Sequence, residues 1–280
     1  MAQPVDEFDL IARFFKPLAR DMPGAFGLRD DAAVLRPEPG FDLVVSADAI
    51  VAGVHFFTHS PPEYIARRGL RVNLSDIAAK GAVPLAYTLT LQLPSETDEA
   101  WLSGFANGLS DDQQEFGLGL LGGDTARTDG PLSLSINIFG QVTENNIIIR
   151  SGARVGHDVY VTGTIGDAYL GLAVEQGALE LPEGQDRMAL VDRYCLPQPR
   201  VFLGPKLVGY ASAAADVSDG LIADLGHICE ASVLGAEIGF SSVPLSAAGR
   251  RTVTDNQPLH LSLLSGGDDY EIVFTAPETV

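Results

Sequence analysis

Hydrophobic and polar positions along this chain follow two periods, and the two periods predict its elements. Between Pro61 and Pro84, Leu70, Leu74 and Ile77 recur at helical steps behind Ile65, which predicts one apolar helix face. Pro61 and Pro62 suit the first turn, and Gly81 and Pro84 suit the stop. Ala78, Ala79 and Ala82 allow close approach to a neighbour. Asn73 and Asp76 project beside the apolar face. A carboxylate in that place is partly buried and needs a partner. Arg71, a few residues back, is one candidate, and a metal ion is another.

Strict alternation over Tyr87–Leu93 and Leu132–Ile138 predicts strands with one buried face. Strands are also predicted at Ala32–Leu35, at Leu43–Ser46 with Asp48 near its end, and at Gly117–Leu121 leading into Gly122-Gly123-Asp124-Thr125. Helices are predicted at Phe8–Leu18 and at Asp98–Gln114, the latter carrying Trp101, Leu102, Phe105 and Leu109 as core. The order β-β-α-β-α-β-β reads as an α+β half with a mostly antiparallel sheet, closing near residues 142–150. From Ser151 onward, strands at Asp158–Thr162, Ala236–Phe240 and Tyr270–Thr275 mix with helices at Gly166–Gln176, Leu190–Leu196, Val201–Tyr210 and Leu221–Ser232. A polar loop covers Gly177–Asp186, and a turn covers Ala215–Gly220. The fold class is therefore α+β / α/β in two domains, 1–150 and 151–280, the second an α/β domain.

Composition sharpens this picture. Two domains are the ordinary division for 280 residues. With 46% apolar and 20% charged residues, a large core is available. The formal charge of −19 argues against a nucleic-acid backbone or an anionic membrane as partner. A phosphate ligand would meet the same repulsion unless divalent cations offset it. Cys195 and Cys229 read as reduced thiols, the first residues lack a signal peptide's basic and apolar regions, and no run of ~20 apolar residues is present. These features predict a cytoplasmic protein.

Candidate chemistry lies in acidic turns. Asp30-Asp31, Asp48, Asp76, Asp124, Asp216, Asp219 and Asp268-Asp269 fall at strand ends, in glycine turns or beside helix starts. Turn formation and helix capping are the commoner uses of any one of them. Their number in one chain points instead to Mg²⁺, which takes a few carboxylates plus water and phosphate oxygens. Other phosphate motifs fail. There is no P-loop, and the G-x-G-x-x-G match from Gly117 to Gly122 leads into Asp124, Gly130 and a strand rather than a helix. An EF-hand register centred on Gly220 puts Ala215 and Gly226 where acids belong.

Eight motifs in series resemble the thiamine-monophosphate kinases. They are Asp30-Asp31-Ala-Ala-Val-Leu, Ser46-Ala-Asp48 with Val51-Ala-Gly-Val-His55-Phe56, Asn73-Leu-Ser-Asp76, Gly122-Gly-Asp124-Thr, Arg150-Ser-Gly-Ala, Val161-Thr-Gly-Thr, Asp216-Val-Ser-Asp219-Gly-Leu and Ser265-Gly-Gly-Asp268-Asp-Tyr-Glu271. They run in order from about Phe8 to Phe274. The wider superfamily includes aminoimidazole ribonucleotide synthase, selenophosphate synthetase and a hydrogenase-maturation protein.

The resemblance implies two α/β domains, the first pairing with its copy in a homodimer whose sheets join into a barrel. It implies transfer of phosphate from ATP to thiamine monophosphate, giving thiamine diphosphate. By the same carry-over, Asp31, Ser46, Asp48, Asp76, Asp124, Asp216 and Asp219 hold several magnesium ions. Gly123, Asp124, Arg150 and Ser218 meet ATP, and His55 and Asp268 meet the thiamine substrate. No general base is expected.

Four positions depart from the family pattern: Arg29 for glycine, Ala47 for a hydroxyl residue, Asp268 for glutamate, and Gly156-His157-Asp158 for Gly-Asp. Family members usually continue beyond the position of Val280. A truncated C-terminal domain and a different group against the thiamine ring are the two readings of that difference. Structural alternatives stand beside the functional ones: His55 packed among Phe56 and Phe57, Arg150 in an ion pair, and Ser218 capping the helix from Leu221. A cyclo-ligase-like member of the superfamily and a non-enzymatic acidic metal-binding protein remain as competing functions.

Overall fold

A computed structural model describes residues 7–253 and 258–278. The chain forms two compact units. Residues up to Ile77 with Pro84–Thr143 make the first, and Ala78–Val83 with the residues from Glu144 make the second.

The first unit opens on helix α1, Glu7–Leu10, which widens into a π turn at Ile11–Phe15 and tightens into a 3₁₀ turn at Lys16–Ala19. Strand β1 (Phe41–Val51), helix α2 (Pro62–Ala79), strand β2 (Val83–Pro94), helix α3 (Glu99–Phe116), strand β3 (Gly119–Thr128) and strand β4 (Ser133–Thr143) follow. The sheet order is β1-β4-β2-β3. β1 and β4 are antiparallel, whereas β2 and β3 are parallel and use α3 as their crossover.

Asp98 accepts a 2.8 Å hydrogen bond from the Trp101 amide and so caps α3. α2 seats its apolar residues on the sheet. A Cβ at Gly69 would lie 2.5 Å from a Leu134 methyl, so this glycine sets how closely the helix approaches. Arg71 points the other way, donating to both carboxylate oxygens of the fully buried Asp112 on α3, each at 2.8 Å. Arg67 also binds Asp112. The arginine considered for Asp76 is therefore committed elsewhere.

The second unit holds strand β5 (His157–Val161), helices α4 (Asp167–Glu175) and α5 (Gln185–Cys195), strand β6 (Ala213–Asp216), helices α6 (Leu221–Ser232), α7 (Ala247–Val253) and α8 (Pro258–Ser265), and strand β7 (Ile272–Pro277). β7 is central and antiparallel to both neighbours. Ile165, Val217, Leu221, Leu225, Ile228 and Val273 form its main core.

Three expected elements differ. Residues 32–35, expected as a strand, pack Ala33 and Leu35 toward Ala19, Ala25 and Leu121 but join no ladder. The Val34 amide bonds the Gly24 carbonyl, and Pro37 and Pro39 lack N–H groups for pairing. Val201–Tyr210 is a series of turns around a 3₁₀ segment at Gly204–Leu207, because Pro205 and the left-handed Gly209 interrupt a helix. Ala236–Phe240 turns Ile238 and Phe240 onto the core without forming a strand.

Removing Asp112 strands the buried Arg71 charge. Asp112→Ala is expected to cost about 3–5 kcal/mol of unfolding free energy. Urea denaturation of this variant checks the value, and a loss below about 1 kcal/mol would show that the pair is replaceable.

Candidate active site

The first unit builds one acidic group where β1 meets α2. Ser46 and Asp48, two residues apart on β1, project to the same face. The strand runs on to Val51, so both lie inside it rather than at its end. The Ser46 hydroxyl donates to the Asp76 carboxylate at 2.5 Å. The Asp48 amide donates to Asn73 Oδ1 at 3.1 Å, and Asn73 Nδ2 donates to the Gly69 carbonyl at 3.0 Å. Partial desolvation raises the Asp48 carboxyl above its ordinary pKa although the residue keeps an open flank. The nearby Asp76 charge adds to that rise, and His55 opposes it. His55 is exposed and accepts the Val51 amide at Nδ1, while Phe56 is the buried member of the pair. His55 is thus not the packed histidine of the structural alternative.

A second acidic group lies across the same sheet. The β2–β3 register slips between Tyr87 and Thr88, leaving Leu121 as an extra residue on β3. Beside this bulge, Asp31, Gly123 and Asp124 line a pocket of about 260 Å³. Three strand steps of about 4.8 Å separate β1, which carries Asp48, from β3, which carries Asp124. Both groups are sets of hard oxygen donors, which fit Mg²⁺ or Ca²⁺ and not a soft metal.

In the second unit, Asp216 ends β6 and the turn after it carries Ser218 and Asp219. The segment Gly267–Glu271 is tied onto it. The Asp268 amide bonds the Ser218 carbonyl, and the Tyr270 amide bonds the Val217 carbonyl, both at 2.8 Å. Asp268 and Tyr270 both take left-handed backbone angles, φ 72° and 51°, to make these bonds. A Cβ at Gly267 would lie 2.2 Å from the Ser218 carbonyl oxygen, so only glycine allows the approach. Asp268 is thereby brought to Ser218 and Asp219. Ser218 does not cap α6, whose N-cap is Gly220 with no side-chain bond.

Arg150 is exposed, and its carbonyl accepts the Ser232 hydroxyl at the C-terminal end of α6. The twelve residues of α6 put that backbone about 17 Å from the turn. Among the described residues Arg150 makes no ion pair.

Sequence reasoning missed Asp224. It is buried, and it accepts the Asp219 amide at 3.0 Å. Burial raises its pKa. Ligand atoms of Asp219, Asp224 and His227 lie within 4.8 Å of one another. The signal available in the sequence was Asp224 and His227 three apart on one helix face. Glu271 was also missed as a buried hub, bound by Arg193, Arg200 and the Thr162 hydroxyl. Asp269 caps α4 by accepting the Gly166 and Ala168 amides at 2.6 and 3.2 Å, which agrees with a capping role.

Residues 29–142 match the family model for the AIR synthase related protein, N-terminal domain. The chain is 46% identical over 276 residues to the thiamine-monophosphate kinase of Caulobacter vibrioides, covering 97% of this chain and 77% of that protein. This chain belongs to the thiamine-monophosphate kinase family. The solved thiamine-monophosphate kinase of Stenotrophomonas maltophilia is similar at TM-score 0.83 and 42% identity, over 94% of this chain and 83% of that one. The structure described as AaThiL complexed with AMPPCP and TMP is similar at TM-score 0.80 and 28% identity, over 99% of this chain and 87% of that one. Within this thiamine-monophosphate kinase family chain, no described helix is long and apolar enough to cross a membrane.

Burial raises the Asp269 carboxyl from 3.8 to about 7. The folded state then holds a proton that the unfolded chain has released, so this group's contribution to stability falls as pH rises from 3.8 toward about 7. Urea midpoints measured across that window are expected to decline with pH, and less steeply in Asp269→Asn. An equal slope in both proteins would place the effect on other groups.

Proposed function

We propose that this chain transfers the γ-phosphoryl group of ATP to the phosphate of thiamine monophosphate, giving thiamine diphosphate and ADP. Its family supports the reaction, and the hydrogen-bonded Ser46–Asp48–Asp76 group is the observation that carries it to these residues. The acceptor is a phosphate monoester with a second pKa of about 6, already largely dianionic at neutral pH. It needs no strong base. What it needs is a way to bring two polyanions together. Magnesium bound by Asp31, Ser46, Asp48, Asp76, Asp124, Asp216 and Asp219 would supply charge neutralisation and in-line alignment.

The protein's own groups do the positioning. Asn73 fixes the backbone under Asp48, and the Ser46 hydroxyl sets the orientation of the Asp76 carboxylate. Gly123, Asp124, Arg150 and Ser218 form the ATP contacts of this proposal. His55 Nε2 and Asp268 form the thiamine contacts.

A homodimer belongs to the same reading, with residues 1–150 as the metal, nucleotide and dimer part and 151–280 as the C-terminal domain. β1 is an edge strand, and it exposes Leu43 and Val45 at 42% and 57%. An edge with exposed apolar side chains suits pairing with a second copy. A cytoplasmic location belongs to the same proposal.

The test is a product assay with purified protein, ATP, Mg²⁺ and thiamine monophosphate, read by chromatography. Thiamine diphosphate and ADP are expected in equal amounts. EDTA is expected to abolish both, and Asp76→Asn to lower kcat by about a hundredfold or more. A folded wild-type protein that forms no thiamine diphosphate would overturn the proposal.

A further inference from the structure

Asp268 and Tyr270 lie on the segment tied to the Ser218–Asp219 turn, and their side chains meet. The Tyr270 hydroxyl donates to Asp268 Oδ1 at 3.3 Å. Both residues are half-buried. An aspartate with a flank open to water has several rotamers available, and a hydroxyl on one carboxylate oxygen selects among them.

This contact depends on an unusual backbone. Tyr270 has φ 51°, which is rare for a bulky side chain and persists only where the surroundings hold it. Arg193 on α5 supplies the hold. Its Nη2 donates to the Asp269 carbonyl and to Glu271 Oε1, both at 3.0 Å. One guanidinium thus grips the residue before Tyr270 and the residue after it. Arg200 fixes the buried Glu271 carboxylate from a second side. Core packing does not explain the strain. Among the described residues, the apolar clusters around Val273 and Leu263 do not include Tyr270. Strain held in place without a packing return is found at ligand sites.

We infer that Tyr270 is a positioning residue for the thiamine substrate: its hydroxyl orients the Asp268 carboxylate, and the Arg193 clamp keeps it in reach. The inference rests on the kinase reading, in which Asp268 meets thiamine monophosphate. That substrate carries a cationic thiazolium ring and an amino group on its pyrimidine. An ionised carboxylate accepts hydrogen bonds only, and it complements either group. Oriented beforehand, it loses less freedom when the substrate binds. The effect of Tyr270 therefore falls on binding of this one substrate, and the phosphoryl transfer itself is left alone.

Steady-state kinetics with each substrate varied in turn test this. Tyr270→Phe removes the hydroxyl and keeps the ring. It is expected to raise KM for thiamine monophosphate about three- to tenfold, while kcat and KM for ATP stay within about twofold. Arg193→Lys holds one acceptor in place of two and is expected to raise the same KM by about twofold or more. Asp268→Gly deletes the carboxylate and tolerates the left-handed angle. In that background Tyr270→Phe is expected to add nothing, because the group it orients is gone. Thermal melts establish folding, and Arg193→Lys carries the test if Tyr270→Phe does not fold. An unchanged KM for thiamine monophosphate, an equal rise for both substrates, or an undiminished effect beside Asp268→Gly would overturn the inference. If Asp268→Gly alone keeps the wild-type KM, Asp268 is no thiamine contact and the inference falls with it. A wild-type protein that forms no thiamine diphosphate would instead remove the kinase reading on which both rest.

Discussion

Helix α2 is held on three sides, and the first unit depends on that constraint. Leu70, Leu74 and Ile77 face the sheet, fully buried. Arg67 and Arg71 face α3 and neutralise Asp112. Asn73 and Asp76 face β1 and bond the Asp48 amide and the Ser46 hydroxyl. A rotation of the helix by one residue would bury a carboxylate against leucine and expose the arginine pair. The acidic group on β1 is therefore placed by core packing and by a buried ion pair. Neither contact touches the acidic group itself, and it needs only two hydrogen bonds of its own to be oriented.

The second unit reaches a comparable end by strain. Asp268 reaches the Ser218–Asp219 turn only because its backbone and that of Tyr270 adopt left-handed angles on either side of Asp269. Asp269 is the anchor, since its buried carboxylate caps α4 and its carbonyl accepts Arg193. Glu271, bound by two arginines, holds the other end of the segment. Alternate residues of this acidic run thus serve structure and site: Asp269 and Glu271 turn inward, while Asp268 stays half open beside the turn.

Sequence periodicity recovered the elements whose burial is one-sided. α2, α3, β2, β4 and α6 carry regular apolar patterns, and α6 begins and ends where its pattern does. β6 was read as part of a turn because Ala213, Ala214 and Ala215 are buried on both faces and alternate with nothing. α7 and α8 are short and lack a regular stripe. At residues 32–35 and 236–240 apolar side chains do pack onto the core, but such packing says nothing about whether a ladder partner exists. Candidate site residues stood out by type through their motifs. Their grouping did not. Strand order, which no local pattern encodes, puts Asp48 and Asp124 at opposite edges of one sheet.

The distribution of nitrogen and oxygen around these groups also bears on mechanism. The His55 imidazole acts on the Asp48 carboxyl, and its Nδ1 already accepts the Val51 amide. Only Nε2 is left to face a ligand, and a neutral imidazole held in that tautomer presents a donor there. A donor suits a phosphate or heteroaromatic acceptor and cannot remove a proton. Of the nearby acids, the Asp76 carboxylate accepts the Ser46 hydroxyl, while Asp48 is held through its backbone amide on Asn73 Oδ1. A donating histidine beside an oriented Asp76 carboxylate suits the proposed transfer to an acceptor that is already ionised, which asks the protein for positioning and charge neutralisation rather than for a base.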